Sequence, residues 1–214
     1  MNILIVGANG GIGRILSKQL AQEKGKNPIA MIRKVEQKVF FKDIGVETTM
    51  GNLEDSVEDL AKVFQGIDAV VFTAGSGGKT DYDKTLEIDL DAAVKCMEAA
   101  EQQSIDRFLM VSVLNVDNRE AWATTGIKPY MIAKYYADQH LIRSNLDYTI
   151  IRPGSLTDDK GTGAVTITPD SETTNKIPRE DVASVITACL KNEHTIGKIY
   201  DILTGDNLIK DVIK

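Results

Sequence analysis

Tyr130 and Lys134 stand four residues apart, a spacing that puts both side chains on one face of a helix. An ammonium beside a phenol stabilises the phenolate and lowers the tyrosine pKa from its ordinary value of about 10. A phenol tuned in this way serves as a general acid or base. Ser112 closes the apolar run Arg107-Phe-Leu-Met-Val-Ser112 and offers a hydroxyl that can hydrogen-bond a substrate oxygen. Tyr135 and Tyr136 follow at once, but neither has a lysine four residues on. Asp138, one turn beyond Lys134, is expected to pair with it.

A second group of residues is suited to holding phosphates. Gly7, Gly10 and Gly13 recur every third position, after the apolar run Ile3–Val6 and before the helical pattern of Ile12, Ile15, Leu16 and Leu20. Strand, glycine turn and helix form the context of a dinucleotide site. Gly7 allows the tight turn, Gly10 lets backbone approach a diphosphate, and Gly13 lets the helix pack closely on the sheet. Asn9, Gly11 and Ile12 lie between them and are expected to line the same ligand. The helix N-terminus adds unpaired N–H groups and the positive end of its dipole.

Positioning these groups requires a regular frame, and the apolar periodicity supplies one. Strands are expected at Pro28–Arg33, Val46–Met50, Asp68–Ala74, Arg107–Ser112, Asp147–Arg152 and Lys198–Leu203. Helices are expected from about Ser56 to Phe64, Tyr82 to Gln102, Tyr130 to Ser144 and Arg179 to Leu190. On the second of these, Leu86, Leu90, Ala93, Val94 and Met97 share one face. Alternation of this kind predicts an α/β fold, a Rossmann-type doubly wound and mainly parallel sheet with helices on both faces. The 214 residues form a single domain, 1–214, and the rhythm breaks at 114–129 and 155–177. Both breaks follow carboxyl ends of strands, where doubly wound folds bind ligands, so they are the expected walls of a very small substrate lobe. Trp122, in the first of them, either covers a substrate or anchors its loop.

Composition removes several classes of function. The chain has 25 basic and 31 acidic residues, a formal net charge of −6, and no basic block. Nucleic acid therefore has no electrostatic footprint to bind. No segment is long and apolar enough to span a membrane, and the first apolar run is a strand rather than a secretion signal. Cys96 and Cys189 lie in apolar helical patterns and read as buried thiols of a cytoplasmic protein. Two cysteines and two histidines without close spacing make no metal site. One or two copies of the chain are expected per assembly, acting on a small molecule.

The end of the second strand selects the nucleotide. An acid there accepts from a ribose 2′-hydroxyl, whereas a basic residue accommodates a 2′-phosphate. Here the strand closes on Ile32-Arg33-Lys34, with no acid before Glu36. Arg33 can fork onto a phosphate, and Arg14 adds to the same pocket. NADP is the expected coenzyme, with NAD as the second choice.

Together these residues identify the chain as a member of the short-chain dehydrogenase/reductase superfamily, in its atypical branch. It resembles the small NAD(P)H-binding proteins of NmrA-like and biliverdin- or flavin-reductase-like type over essentially its whole length. The resemblance implies hydride transfer to a small carbonyl, quinone or flavin-like acceptor. Tyr130 would donate the proton, Ser112 would orient the oxygen, and Lys134 would hold the nicotinamide ribose. It further implies that Asn52 hydrogen-bonds the adenine and Leu53 covers it. The backbone of Thr73, Ala74 and Gly75 would pass along the cofactor, although Thr73 replaces the usual asparagine. Arg152, Pro153 and Gly154 would lie beside the nicotinamide, with Pro153 turning the chain out of the sheet. Ile177–Ala183 resembles the segment in which an acid caps the last long helix. Two other activities stay open, a non-catalytic NADP(H) redox sensor and an epimerase/dehydratase-like enzyme. The short substrate lobe counts against a nucleotide-sugar epimerase.

Overall fold

The computed structural model describes residues 1–77, 81–167 and 175–214. Gly78, at the end of the glycine-rich loop after the fourth strand, lies outside the described residues, as does the 168–174 part of the second expected substrate wall. The elements run β1 (Asn2–Val6), α1 (Gly11–Ala21), β2 (Asn27–Ile32), α2 (Lys38–Asp43), β3 (Glu47–Met50), α3 (Val57–Val63) and β4 (Ala69–Phe72). Then come α4 (Tyr82–Lys84), a π-helical segment (Thr85–Asp91), α5 (Ala92–Gln102), β5 (Arg107–Val111), α6 (Lys128–Arg143), β6 (Asp147–Pro153) and β7 (Ser155–Thr157). The chain ends with β8 (Ala164–Ile167), β9 (Lys176–Pro178), α7 (Arg179–Cys189), β10 (Lys198–Thr204), β11 (Asn207–Leu208) and α8 (Ile209–Val212).

Among the described residues the main sheet has the order β11-β8-β10-β6-β5-β4-β1-β2-β3. Every pairing from β10 to β3 is parallel. From β1 the chain winds outward through β2 and β3, then returns to build β4, β5, β6 and β10 on the other side. The winding reverses between β1 and β4, and in such folds the crevice at that reversal receives the ligand. This is the doubly wound Rossmann-like arrangement.

The strands read as unbroken apolar runs because both faces are covered. Ile3 and Ile5 of β1 face a core with Leu16 and Leu20 of α1 and Val182 and Ile186 of α7. Leu4 and Val6 point the other way, toward Leu60 of α3, Met97 of α5 and Leu141 of α6. Successive side chains on a strand alternate between faces, so one strand nucleates both layers. Cys96 and Cys189 are buried free thiols. Among the described residues no helix is long and apolar enough to cross a membrane.

The structure departs from the sequence expectations in two places that matter for the site. The helix expected from Tyr82 to Gln102 carries a π-helical stretch, Thr85–Asp91, which shifts its register. Leu86 lies 50% exposed, while Thr85 and Asp89 are buried. Part of the break at 155–177 is ordered sheet. β8 pairs antiparallel with β10 and β11, and β7 pairs with β9 in a separate two-stranded sheet. Pro153 does close β6, and the chain leaves the main sheet immediately after it.

Candidate functional site

The glycine turn is tight because two backbones meet in it. Gly7 has φ +81°, and a Cβ there would stand 2.5 Å from Ala74 N. Thr73 N donates to the Val6 carbonyl at 2.8 Å, and Thr73 Oγ1 donates to the same oxygen at 3.0 Å. The hydroxyl of Thr73 therefore pins the end of β4 to the end of β1. A Cβ on Gly13 would fall 2.4 Å from Gly7 O and 2.7 Å from Ala8 Cα. Gly10, the N-cap of α1, is different, since its Cβ would meet only Gly7 O, at 3.2 Å, within 4 Å. No side chain caps α1 and no acid stands in its first turn. Its first amides have no partner within the helix, and helix ends of this kind are suited to an anion such as a diphosphate.

A cleft of about 810 Å³ opens beside this turn, over the carboxyl ends of β1, β4 and β5. It is lined by Gly11 and Ile12 from the turn, Thr73, Ala74 and Gly75 after β4, and Ser112, Tyr130 and Lys134. A volume of that size suits a small-molecule ligand. Of the residues singled out in the sequence, these eight share one cavity. Gly7, Asn9, Gly10 and Gly13 build the frame beside it.

The electrostatics of the three polar side chains differ from expectation. Lys134 is 1% exposed, and its Nζ donates to the Val111 carbonyl at 2.8 Å. Burial lowers its pKa, against the pull of Asp89 and Asp138. Tyr130 is half-buried, and its pKa is raised rather than lowered. Burial is the main cause, and the carboxylates of Asp89 and Asp138 add to it. The phenol is therefore firmly protonated at neutral pH. The expected lysine-induced lowering does not arise here: burial and the negative charge of Asp89 and Asp138 push the phenol up, while the Lys134 ammonium is bonded to the Val111 carbonyl. Ser112 Oγ is buried and lacks a hydrogen-bond partner among the described residues. It lies near enough to Asp138 to favour that carboxylate, yet outside hydrogen-bonding geometry. A buried unpaired hydroxyl is costly, and a substrate oxygen would satisfy it.

Asp138 does not pair with Lys134 as the spacing suggests. Its Oδ2 accepts from Arg152 Nε at 2.9 Å, while Arg152 Nη1 donates to Asp117 Oδ2 at 3.0 Å. Arg152 is 4% exposed and lies outside the cleft lining, with Asp201 Oδ1 4.0 Å from Nη1. Expected beside the nicotinamide, Arg152 instead stands outside the cleft lining with its fork holding α6 and the 114–129 loop to β6. Pro153 pairs with Ile202 within the sheet, and a Cβ on Gly154 would run into Leu203 Cδ2 at 2.2 Å. Neither residue reaches the cleft. Trp122 is buried, and its Nε1 donates to the Val116 carbonyl at 3.0 Å, so it anchors its loop.

Arg33, Asn52 and Leu53 stand at the carboxyl ends of β2 and β3, on the opposite side of β1 from the cleft. Arg33 is exposed. Arg14 has its Nη2 donating to Asn9 Oδ1 at 2.6 Å and its guanidinium 4.5 Å from the Phe40 ring centre. Asn52 Oδ1 accepts from Glu54 N at 3.3 Å, and Leu53 packs against the core.

Several cleft residues escaped the sequence reading. Asp89 is 1% exposed, lines the cleft and accepts from Ser76 N at 3.0 Å. It shares a face with buried Thr85, Ala93 and Cys96, and an acid on such a face is not announced by apolar periodicity. Tyr82, Thr85, Ile127, Leu156 and Arg179 complete much of the wall.

Comparison with known proteins shows a family and a shared fold. A family model described as NAD(P)H-binding matches residues 7–193. A Bacillus subtilis (strain 168) protein called an uncharacterized sugar epimerase, YhfK, is 45% identical, covering 100% of this chain and 99% of its own. A Bacillus halodurans structure, provisionally named an NAD-dependent epimerase/dehydratase, superposes with a TM-score of 0.93 at 43% identity, covering 100% of this chain and 98% of its own. The oxidoreductase ylbE from Lactococcus lactis gives a TM-score of 0.88 at 34% identity, covering 100% of this chain and 95% of its own.

Proposed function

The chain belongs to the NAD(P)H-binding family, and from that premise we propose that it reduces a small carbonyl, quinone or flavin-like acceptor, with NADPH as the preferred reductant. The observation that carries this reading is one cavity lined by the amide-bearing glycine turn, an unpartnered serine hydroxyl and a protonated tyrosine. Bound NADPH would supply the hydride. The chain's own residues do the remainder. Ser112 Oγ donates to the acceptor oxygen and orients it. Tyr130, with its pKa raised, holds a proton through the neutral range and gives it to that oxygen as negative charge develops. The same raised pKa keeps the phenolate, the form that would take a proton in alcohol oxidation, scarce at neutral pH. Lys134 stiffens the floor through Val111 and carries positive charge toward the coenzyme ribose. Tyr82, Ile127 and Leu156 offer apolar surface to the acceptor.

A screen of purified protein with carbonyls, quinones and flavins, read as NADPH oxidation, tests the proposal. Turnover above the protein-free rate is expected with at least one class. Binding of NADPH without turnover of any class would favour the second reading, a redox sensor that reports the NADP(H) ratio. The lack of an ammonium-activated phenol is the observation on that side.

The preference for NADPH rests on Arg33 and on Arg14, which Asn9 and Phe40 hold in place. Arg33→Glu replaces a phosphate partner with a repelling charge. Its NADPH affinity is expected to fall roughly tenfold or more beyond any loss for NADH. Paired titrations of the variant check this, and equal losses for the two coenzymes would remove Arg33 from the 2′-phosphate pocket.

A further inference from the structure

Arg179 opens α7 and lies across the first residue of α1. A Cβ placed on Gly11 would stand 2.7 Å from Arg179 Cδ and 3.0 Å from its Nε. The side chain lines the same cleft as Gly11, Ile12 and Thr73. A cation is poorly placed at a helix N-terminus, where the dipole is positive. α1 offers no relief, having neither a side-chain cap nor an acid in its first turn. The guanidinium is held there by Asp158, whose Oδ1 accepts from Nη1 at 2.7 Å. This contact is built into the fold, since the β7–β9 ladder pairs Thr157 with Pro178 and the two ion-pair partners are the next residues along. The Asp158 side chain is 91% exposed, so the pair is a surface one and costs little to break.

We propose that Arg179 is a diphosphate-binding residue and that Asp158 is its placeholder anion. This inference rests on the reading that the coenzyme seats its phosphates on the α1 turn. When they arrive, an anion comes between the helix end and the guanidinium, and both positive groups then face negative charge. Arg179 leaves Asp158 and forks onto the phosphate oxygens, which it binds more strongly than one solvated carboxylate. Asp158 thus opposes coenzyme binding, first by competing for the arginine and then by its own charge.

The two partners are therefore expected to give variants of opposite sign. By direct titration with NADPH, Arg179→Ala weakens binding about tenfold. Asp158→Asn binds as tightly as the native chain or more tightly. A pair that merely tied β7 to α7 would lose affinity on either substitution. Melting temperatures are recorded alongside, and if Arg179→Ala does not fold, Arg179→Lys and Asp158→Asn carry the test. A loss smaller than about threefold at Arg179, or any weakening in Asp158→Asn, overturns the proposal. Failure of the native protein to bind NADPH would instead sink the coenzyme reading itself.

Discussion

Tyr130→Phe is expected to slow NADPH oxidation by a responsive acceptor at least about tenfold, because a positioned proton donor contributes that much or more to such a step. The substitution removes one oxygen from a half-buried ring and leaves the glycine turn untouched, so NADPH affinity should stay within about twofold of native. The loss belongs in kcat rather than in binding. The pH profile adds an independent check. Burial and the carboxylates of Asp89 and Asp138 hold the phenol above its ordinary pKa. The proton is therefore in place across the neutral range, and the native reductive rate should show no decline from loss of a tyrosine proton between about pH 6 and pH 8. A phenol activated by lysine would already be titrating there. Steady-state kinetics of the native and variant proteins decide the matter, and an unchanged rate in Tyr130→Phe would remove Tyr130 as the proton donor. A flavin-type acceptor that needs only hydride delivery could still be reduced.

The second large effect separates holding the fold from holding the ligand. Gly13→Ala puts a Cβ 2.4 Å from Gly7 O and 2.7 Å from Ala8 Cα, all backbone that cannot swing aside. Overpacking of this kind costs about 1–3 kcal/mol, so its melting temperature should fall by several degrees. Gly10→Ala meets only Gly7 O, at 3.2 Å, and the residue's φ of −73° suits any side chain. The variant should melt close to native. Its added methyl nevertheless occupies the side from which a diphosphate approaches the α1 amides, so NADPH affinity should fall about tenfold or more. Calorimetric melting and binding titrations of the two variants check the contrast. A Gly10→Ala protein that binds NADPH as the native chain does would mean the phosphates do not approach at that position.

Much of this organisation could be read directly from residue types. The unbroken run Ile3–Val6 followed by glycines at 7, 10 and 13 has few structural solutions, and the structure realises the strand, turn and helix it suggests. The same holds for the strands that end at Phe72, Val111 and Pro153, since doubly buried strands leave strong local signals. Readings that depended on long-range pairing were less secure. Arg152 carries the same charge and reach whether it meets a coenzyme or Asp138 and Asp117, and only the packing of α6 on β6 selects the latter. Asp89 lines the cleft on the same helical face as buried Thr85 and Ala93, and a carboxylate gives no apolar signal that it faces inward. Ala164–Ile167 is too short, between glycines and polar residues, to signal that it adds an antiparallel strand beside β10. Arg179 and Asp158 meet through the register of two three-residue strands, which no local pattern announces.

The central claim is that the turn from Gly7 to Gly13 cradles the paired phosphates of a nicotinamide coenzyme. Titration of the purified protein with NADPH, NADP+, NADH and NAD+ tests it most directly. Saturable association is expected, tighter for the 2′-phosphorylated pair. Failure of all four to bind at millimolar concentrations would contradict it.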